Sequence, residues 1–129
     1  MSSKEPVFYS CDNCRVIIEE INGNKGGFSC CGTPMEIMTP NTSDGAQEKH
    51  LPVVKQDGST VTVEVGSVFH PMSDEHSIEW VYLQTEKGGQ RMNLCPENEP
   101  AAVFHVAEGD RPIAAYAYCN LHGFWKTAI

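Results

Sequence analysis

The chain lacks any long apolar segment. No hydrophobic run in its 129 residues approaches the ~18 residues that a membrane-spanning helix needs. Residues 1–6 also contain no apolar stretch that resembles a secretory signal. We therefore expect no membrane partner, and a cytoplasmic location is the default expectation.

Basic residues are also scarce. Lys and Arg together number 9, against 17 Asp and Glu, which gives a formal net charge of −8. Proteins that bind nucleic acids need clusters of basic side chains to neutralise phosphates. The composition therefore argues against a nucleic-acid partner. It also requires that an anionic substrate be attracted by a local positive site, because the molecule as a whole would repel it.

A helical period is absent along the whole chain, whereas alternating patterns are frequent after residue 50. The residues that alternate or are β-branched predict strands over 51–56, 60–65, 77–85, 90–95, 101–106 and 113–118, with a short closing strand over 124–126. In the strand over 77–85, the pattern places Ile78, Trp80 and Tyr82 on one face, opposite Val81 and Leu83. Strands separated by turns at this density predict an all-β fold, an antiparallel sandwich of immunoglobulin-like type.

Six cysteines in a chain without a secretory signal favour metal binding or redox chemistry over disulfides. Four of them lie near the N-terminus, with the spacing C-x2-C, fifteen residues, then C-C: Cys11, Cys14, Cys30 and Cys31. Four thiolates in so short a span can enclose a zinc or an iron ion. We predict a small metal-stabilised domain over 1–38, a polar linker over 39–47 and a second domain over 48–129.

Four of the five histidines and one cysteine fall into three short clusters in the second domain. His50 forms the first cluster, His70 and His76 form the second, and Cys119 with His122 forms the third. Imidazoles combined with a thiolate suit iron, copper or zinc rather than magnesium or calcium. The neighbouring Glu48 and Lys49 could reach an open position on such a metal. The remaining two candidate donors, His105 and Cys95, are expected to be a structural histidine and an ordinary free cysteine.

A resemblance to the superoxide reductases is carried by four segments: Glu48-Lys49-His50, His70-Pro71-Met72-x3-His76, Ile78-Glu79-Trp80, and Cys119-Asn120-x-His122-Gly123-x-Trp125. The four-cysteine unit in front of them resembles desulforedoxin. Together the two parts resemble desulfoferrodoxin, the two-iron form of superoxide reductase, over the whole chain.

The resemblance implies a one-electron reduction of superoxide to hydrogen peroxide without production of oxygen, as a detoxification reaction of anaerobic or microaerophilic metabolism. It implies two iron ions per chain. The first would be bound by Cys11, Cys14, Cys30 and Cys31, and the second by His50, His70, His76 and His122 in a plane with Cys119 on the axis. Glu48 and Lys49 would act at the vacant position, rubredoxin or a similar protein would donate electrons, and two chains would form a homodimer.

Two other functions compete with this interpretation. An electron-transfer cupredoxin is also a β-sandwich with a C-terminal cysteine-histidine loop, but a blue-copper site uses two histidines, one cysteine and a weak axial Met. No Met follows His122, and two histidines would be left over. A zinc-stabilised binding module would account for the N-terminal cysteines but not for the clusters in the second domain.

Overall fold

The computed structural model describes residues 4–23 and 25–129; residues 1–3, which belong to the predicted N-terminal domain, lie outside the described part. Its contacts divide the chain into two compact units, one spanning Glu5–Thr39 and the other formed by Pro40–Ile129 together with Lys4. No helix among the described residues is long and apolar enough to cross a membrane.

The unit Glu5–Thr39 consists of very short strands. They are β1 (Phe8–Ser10), β2 (Ile17–Glu19), β3 (Ser29–Cys30), β4 (Thr33–Pro34) and β5 (Glu36–Ile37). β1 lies between β2 and β5 in one antiparallel sheet, and β3 pairs with β4 in a separate hairpin. Few of its described side chains are buried, namely Phe8, Tyr9 and Cys11. So small an apolar core contributes little folding energy.

The unit Pro40–Ile129 begins with a single helical turn, α1 (Gln47–His50), and continues as seven strands. These are β6 (Pro52–Asp57), β7 (Thr60–Val65), β8 (Ile78–Thr85), β9 (Gly88–Asn93), β10 (Ala101–His105), β11 (Pro112–Cys119) and β12 (Gly123–Ala128). One sheet has the order β10-β7-β6 and the other β12-β11-β8-β9, and every pairing is antiparallel. The predicted all-β class is therefore confirmed.

The core of this unit is formed by the inward-facing side chains of both sheets. In β7 the alternation predicted from the sequence is realised, since Val61, Val63 and Val65 are all fully buried. Leu83 and Phe104 belong to the same cluster. At roughly 1.5–3 kcal/mol for each large apolar side chain that is buried, this cluster makes a contribution to the stability of the sandwich that does not depend on a metal.

The prediction of which face of β8 carries Ile78 was wrong. Ile78 packs in the core with Val81 and Leu83 rather than on the face that carries Trp80 and Tyr82. The register between β8 and β11 shifts next to Ile78, because two steps along β8 correspond to one step along β11. Such a bulge reverses the alternation of side chains at one point, and a simple period-two pattern cannot reveal it.

The segment that was predicted as a linker makes specific contacts with β12. Asn41 donates its backbone N–H to the carbonyl of Phe124 at 2.9 Å. Its side chain donates to the carbonyl of Lys126 at 3.1 Å and accepts from the N–H of Lys126 at 2.9 Å. These bonds satisfy backbone groups on the exposed edge of β12, and they fix the chain just before α1.

Candidate metal centres

Four imidazole rings in the unit Pro40–Ile129 form a square. The centroids of neighbouring rings are 4.6 Å apart for His50 and His70, 4.5 Å for His70 and His76, 5.0 Å for His76 and His122, and 4.8 Å for His122 and His50. The diagonal between His50 and His76 is longer, at 6.4 Å. The donor atoms of these four histidines and of Cys119 all lie within 4.8 Å of one another.

Three structural elements bring these five residues together. His50 ends α1, while His70 and His76 lie in the loop between β7 and β8. Cys119 is the last residue of β11, and His122 lies in the tight turn before β12. The structure therefore brings together all five residues that the sequence predicted for this site.

The tautomers of two histidines follow from their hydrogen bonds. The Nδ1 atom of His50 lies 2.8 Å from the carbonyl of Ala46, and the Nδ1 atom of His70 lies 2.7 Å from the carbonyl of Pro71. A carbonyl oxygen only accepts, so each Nδ1 carries the proton and each Nε2 presents a lone pair. Backbone bonds of this kind orient the ring of a metal-binding histidine.

The facing nitrogen atoms fit a cation. The Nε2 atoms of His50 and His70 are 3.1 Å apart, and His122 Nδ1 is 3.1 Å from His50 Nε2. Two lone pairs at that distance repel each other unless a positive charge lies between them. Metal–nitrogen bonds of about 2.0–2.1 Å at right angles would separate neighbouring nitrogens by about 3 Å. The buried Nε2 of His76 has no hydrogen-bond partner among the described residues, which fits the same explanation.

Burial favours the neutral form of three of these rings. It lowers the pKa of His70 to about 4, and it also lowers the pKa of His50 and of His76. Electrostatic interactions with His122 and then with Lys49 lower the pKa of His76 further. A metal binds the neutral form of imidazole, so the site is ready for a metal at neutral pH.

Cys119 is fully buried at the end of β11. Its Sγ lies 3.3 Å from His70 Nε2 and 4.0 Å from His122 Nδ1. Burial raises the pKa of this thiol, whereas the backbone N–H groups of His122 and Leu121 lower it. The N–H of His122 donates to the sulfur at 3.4 Å. Because burial disfavours a free thiolate, a bound cation would be the main stabiliser of the charged sulfur.

Trp125 supports two of the histidines. Its buried ring stacks on His50, with centroids 4.9 Å apart and an angle of 26° between the planes. Its Nε1–H donates to the carbonyl of His122 at 3.0 Å. The indole therefore fixes the His50 ring through stacking and the turn at His122 through a hydrogen bond.

Two residues that no sequence pattern singled out also contact the site. A Cβ atom at Gly45 would lie 3.1 Å from His50 Cε1 and 3.3 Å from His122 Cγ, so only glycine lets the chain pass this close to both rings. A Cβ atom at Gly66 would lie 2.5 Å from the carbonyl oxygen of Glu48, directly beneath α1. Both glycines occur among turn residues, and only the folded chain reveals their contacts.

Glu48 and Lys49 occupy the solvent side of α1. Both residues are exposed, whereas His50, which follows them, is buried. The carbonyl of Glu48 accepts the N–H of Val68 at 3.0 Å and the hydroxyl of Ser67 at 3.2 Å. The backbone of the turn is therefore fixed. Besides burial and the neighbouring imidazoles, the charge of Lys49 also lowers the pKa of His50 and of His76, so it acts on the site.

A second cluster of donors lies in the unit Glu5–Thr39. The sulfurs of Cys11, Cys14 and Cys30 lie within 4.8 Å of one another. Cys31 is exposed, and its Sγ lies 3.8 Å from the Sγ of Cys30. A hydrogen bond with Cys30 lowers the pKa of Cys14, and the same bond raises the pKa of Cys30. A set of soft sulfur donors this close together suits iron or zinc.

The other two candidate donors lie outside both clusters. His105 is exposed in β10, where its carbonyl accepts a hydrogen bond from Gln90. Cys95 is an exposed free thiol that contacts the side chain of Asn98 at 3.1 Å. The prediction of a free cysteine agrees with the position of Cys95, whereas a structural role of His105 stays a prediction.

Comparisons with known proteins point to one family. The family described as Desulfoferrodoxin matches residues 42–128. A desulfoferrodoxin from Syntrophotalea carbinolica is 40% identical over 119 residues, which are 92% of this chain and 93% of the relative. A desulfoferrodoxin from Nitratidesulfovibrio vulgaris is 42% identical over 118 residues, which are 92% of each chain. The solved structure of the superoxide reductase from Treponema pallidum has a TM-score of 0.81 at 37% identity and covers 96% of this chain and 99% of its own.

Proposed function

This chain belongs to the desulfoferrodoxin family, and from that membership and its donor geometry we propose that it is a superoxide reductase. The observation that carries the proposal is the convergence of four imidazoles and one thiolate within 4.8 Å. A blue-copper site would use only two of those histidines. A zinc-stabilised binding module would have no use for any of the five donors.

The catalytic iron would be bound by His50, His70 and His76 through Nε2, by His122 through Nδ1, and by Cys119 through Sγ. When bound, the iron supplies one electron to superoxide, which takes up two protons and leaves as hydrogen peroxide. Open coordination is what distinguishes a reacting metal from a structural one, and a metal held by these five donors would keep a position for the substrate.

The chain's own residues prepare this site in three ways. Backbone carbonyls hold the His50 and His70 rings with their Nε2 lone pairs turned inward. Burial keeps these rings neutral, so that a single thiolate from Cys119 leaves the loaded site with a net positive charge. This local charge attracts an anion although the chain as a whole is acidic.

Lys49 and Glu48 would act at the entrance. Lys49 extends the positive field outward from α1, and its charge already influences two of the histidines. We assign it the capture of superoxide and the stabilisation of negative charge on the reacting anion. We assign to the carboxylate of Glu48 the role of covering the open position once the product has left, in keeping with the family resemblance.

The second iron would be bound by the four thiolates of Cys11, Cys14, Cys30 and Cys31. Three of these sulfurs lie within 4.8 Å of one another, and the fourth belongs to the adjacent residue. The positive φ of Cys31, 53°, lets the chain reverse between the two neighbouring cysteines. This iron would stabilise a unit whose apolar core is very small.

The physiological setting is part of the same proposal. We propose rubredoxin or a similar small protein as electron donor, a cytoplasmic location that keeps all six thiols reduced, and a homodimer. Support for the dimer comes from exposed apolar side chains in the N-terminal unit, where Val16 is 43%, Ile21 72% and Ile37 59% exposed. Sedimentation of the unaltered chain tests the dimer, and a monomer would contradict it. Ile37→Glu tests whether this surface forms the interface, and a dimer that persists unweakened in that variant would contradict the role of the surface.

Product stoichiometry tests the reaction. The iron-loaded chain, supplied with superoxide and an excess of reductant, should form one hydrogen peroxide per superoxide and no oxygen. A dismutase would form half as much peroxide, together with oxygen. Cys119→Ser should lose the reaction, while Cys95→Ser should keep it. Oxygen evolution by the unaltered chain, or full activity in Cys119→Ser, would refute the proposal.

A further inference from the structure

The side chain of Asn120 connects the turn that carries His76 to the turn that carries Cys119 and His122. Its Oδ1 accepts the backbone N–H of Ser77 at 3.0 Å, and its Nδ2 donates to the carbonyl of Glu75 at 2.9 Å. These two backbone groups lie on either side of His76. Asn120 itself follows Cys119 directly, and its own N–H donates to the carbonyl of Ser77 at 3.2 Å.

Besides the bonds of Asn120, the chain after His76 is joined to β11 by the pairing of Ile78 with Cys119, where β8 begins. Ser73 closes this loop upon itself, since its hydroxyl and N–H both bond to the backbone of His76. Those bonds shape the turn but do not join it to another donor segment. His76 is also the ring with a buried Nε2 that has no partner among the described residues, and no backbone carbonyl is seen to fix its orientation.

We infer that Asn120 is a positioning residue, which sets the distance between the His76 imidazole and the Cys119 sulfur. The inference rests on the ligand set proposed above. Two hydrogen bonds that bracket one residue constrain its backbone in both directions, so they limit how far the backbone of His76 can move toward or away from β11. Loss of such outer contacts typically weakens metal affinity by about 10–100-fold.

Two substitutions separate this role from simple packing. Asn120→Ala removes both bonds. Asn120→Asp has nearly the same volume and keeps an acceptor for the Ser77 N–H, but it turns a carboxylate oxygen toward the Glu75 carbonyl. If Asn120 only filled space, Asn120→Asp would leave the metal site unchanged. If its two hydrogen bonds position His76, both variants would weaken the metal site.

Asp110 offers a matched control at the opposite ends of β8 and β11. Its Oδ1 accepts the N–H of Lys87 at 3.0 Å and the N–H of Arg111 at 2.8 Å, so it also joins two turns through backbone groups. Both side chains are partly buried. Asp110→Ala should lower the melting temperature about as much as Asn120→Ala without changing the metal site.

The experiment is a titration of the full metal-free chain with cobalt(II), which reports affinity and the thiolate-to-cobalt absorption band. Both Asn120 variants should bind cobalt at the histidine site about 10–100-fold more weakly and with a shifted band. The cysteine site in Glu5–Thr39 serves as an internal reference and should not change. Asp110→Ala should match the unaltered chain at both sites.

Each outcome decides the inference. Unchanged affinity and absorption in the Asn120 variants, with a loss of stability equal to that of Asp110→Ala, would overturn it. If Asn120→Ala does not fold, Asn120→Asp gives the decision. His76→Ala is titrated in parallel, because cobalt affinity that is unaffected in that variant would mean that the proposed ligand set, rather than the role of Asn120, is wrong.

Discussion

At the scale of single residues, the charge of Lys49 is the feature most open to a direct test. Lys49→Ala should slow the capture of superoxide about tenfold at low ionic strength, because electrostatic attraction raises association rates by 10–10³. The rate of the variant should also depend less on salt. Pulse radiolysis across a range of ionic strengths measures both quantities.

Lys55 provides the control for that experiment. It lies in β6 with its ammonium 2.6 Å from the carboxylate of Glu64, and its side chain is 69% exposed. Lys55→Ala removes the same charge from the molecule but not from α1. Equal slowing in both variants would attribute the effect to net charge and would contradict a specific role of Lys49.

The buried histidines predict how stability depends on pH. His70 titrates with a pKa of about 4 in the folded chain, below the ordinary value of 6.5. Between these values the unfolded chain binds more protons, so the metal-free protein loses stability as the pH falls from about 6.5 toward 4. Above pH 6.5 this contribution is fully present.

Thermal unfolding of the chelator-treated chain between pH 7.5 and 4.5 checks this direction. His70→Gln should show a flatter dependence of the melting temperature on pH. The exposed His105 provides the comparison, since His105→Gln should keep the slope of the unaltered chain. A melting temperature that rises as the solution becomes acidic would contradict the assignment.

At the scale of elements, the segment before α1 is part of the metal site. Gly45→Ala should weaken metal affinity at least about tenfold, because the new methyl group would push against His50 and His122. Gly58→Ala is the control. Gly58 also has a positive φ, +60°, but a Cβ there would meet nothing within 4 Å. Competition against a chelator measures both variants, and equal affinities would show that the contact at Gly45 is unimportant.

The sequence predicted the elements of the sandwich well because most strands carry a period-two pattern. The strand over 60–65 coincides with the observed β7, and the others agree within a few residues. Prediction failed where local order depends on distant contacts. The single turn α1 is too short to show a helical period, and the bulge beside Ile78 exists only because β8 pairs with β11.

The donors were predictable, whereas their supports were not. Histidine and cysteine are recognisable as metal-binding residue types, and their three clusters stand out along the chain. Gly45, in contrast, is an ordinary turn residue in the sequence, and its importance lies in its contact with His50. Asn120 belongs to the motif around Cys119, but the motif does not reveal its hydrogen bond to Glu75. Contacts between segments that are far apart along the chain leave no periodic trace in a single sequence.

At the scale of the whole molecule, the two units should respond differently to loss of metal. The unit Glu5–Thr39 has strands of two or three residues and a very small core, whereas the sandwich has a continuous apolar core. Chelation should therefore unfold the first unit and leave the second folded. Amide hydrogen exchange measured by mass spectrometry should show lost protection in 5–39 and retained protection in β7, β8 and β11.

Cys14→Ser separates the two metals in that experiment. It should reproduce the loss of protection in 5–39 without chelator, while the histidine site keeps its metal. Cys95→Ser changes a thiol outside both clusters and should leave exchange unaffected. Full protection of 5–39 in the absence of metal would mean that the small core suffices to fold this unit.

The way in which α1 is anchored has a consequence for how this protein can evolve. The turn is held through the carbonyl of Glu48, which accepts hydrogen bonds from Val68 and Ser67, and through the close packing of Gly66. None of these contacts involves the side chains at positions 48 and 49. Natural variation could therefore replace those two side chains, and so change how fast substrate enters and product leaves, while the backbone contacts that hold α1 stay intact.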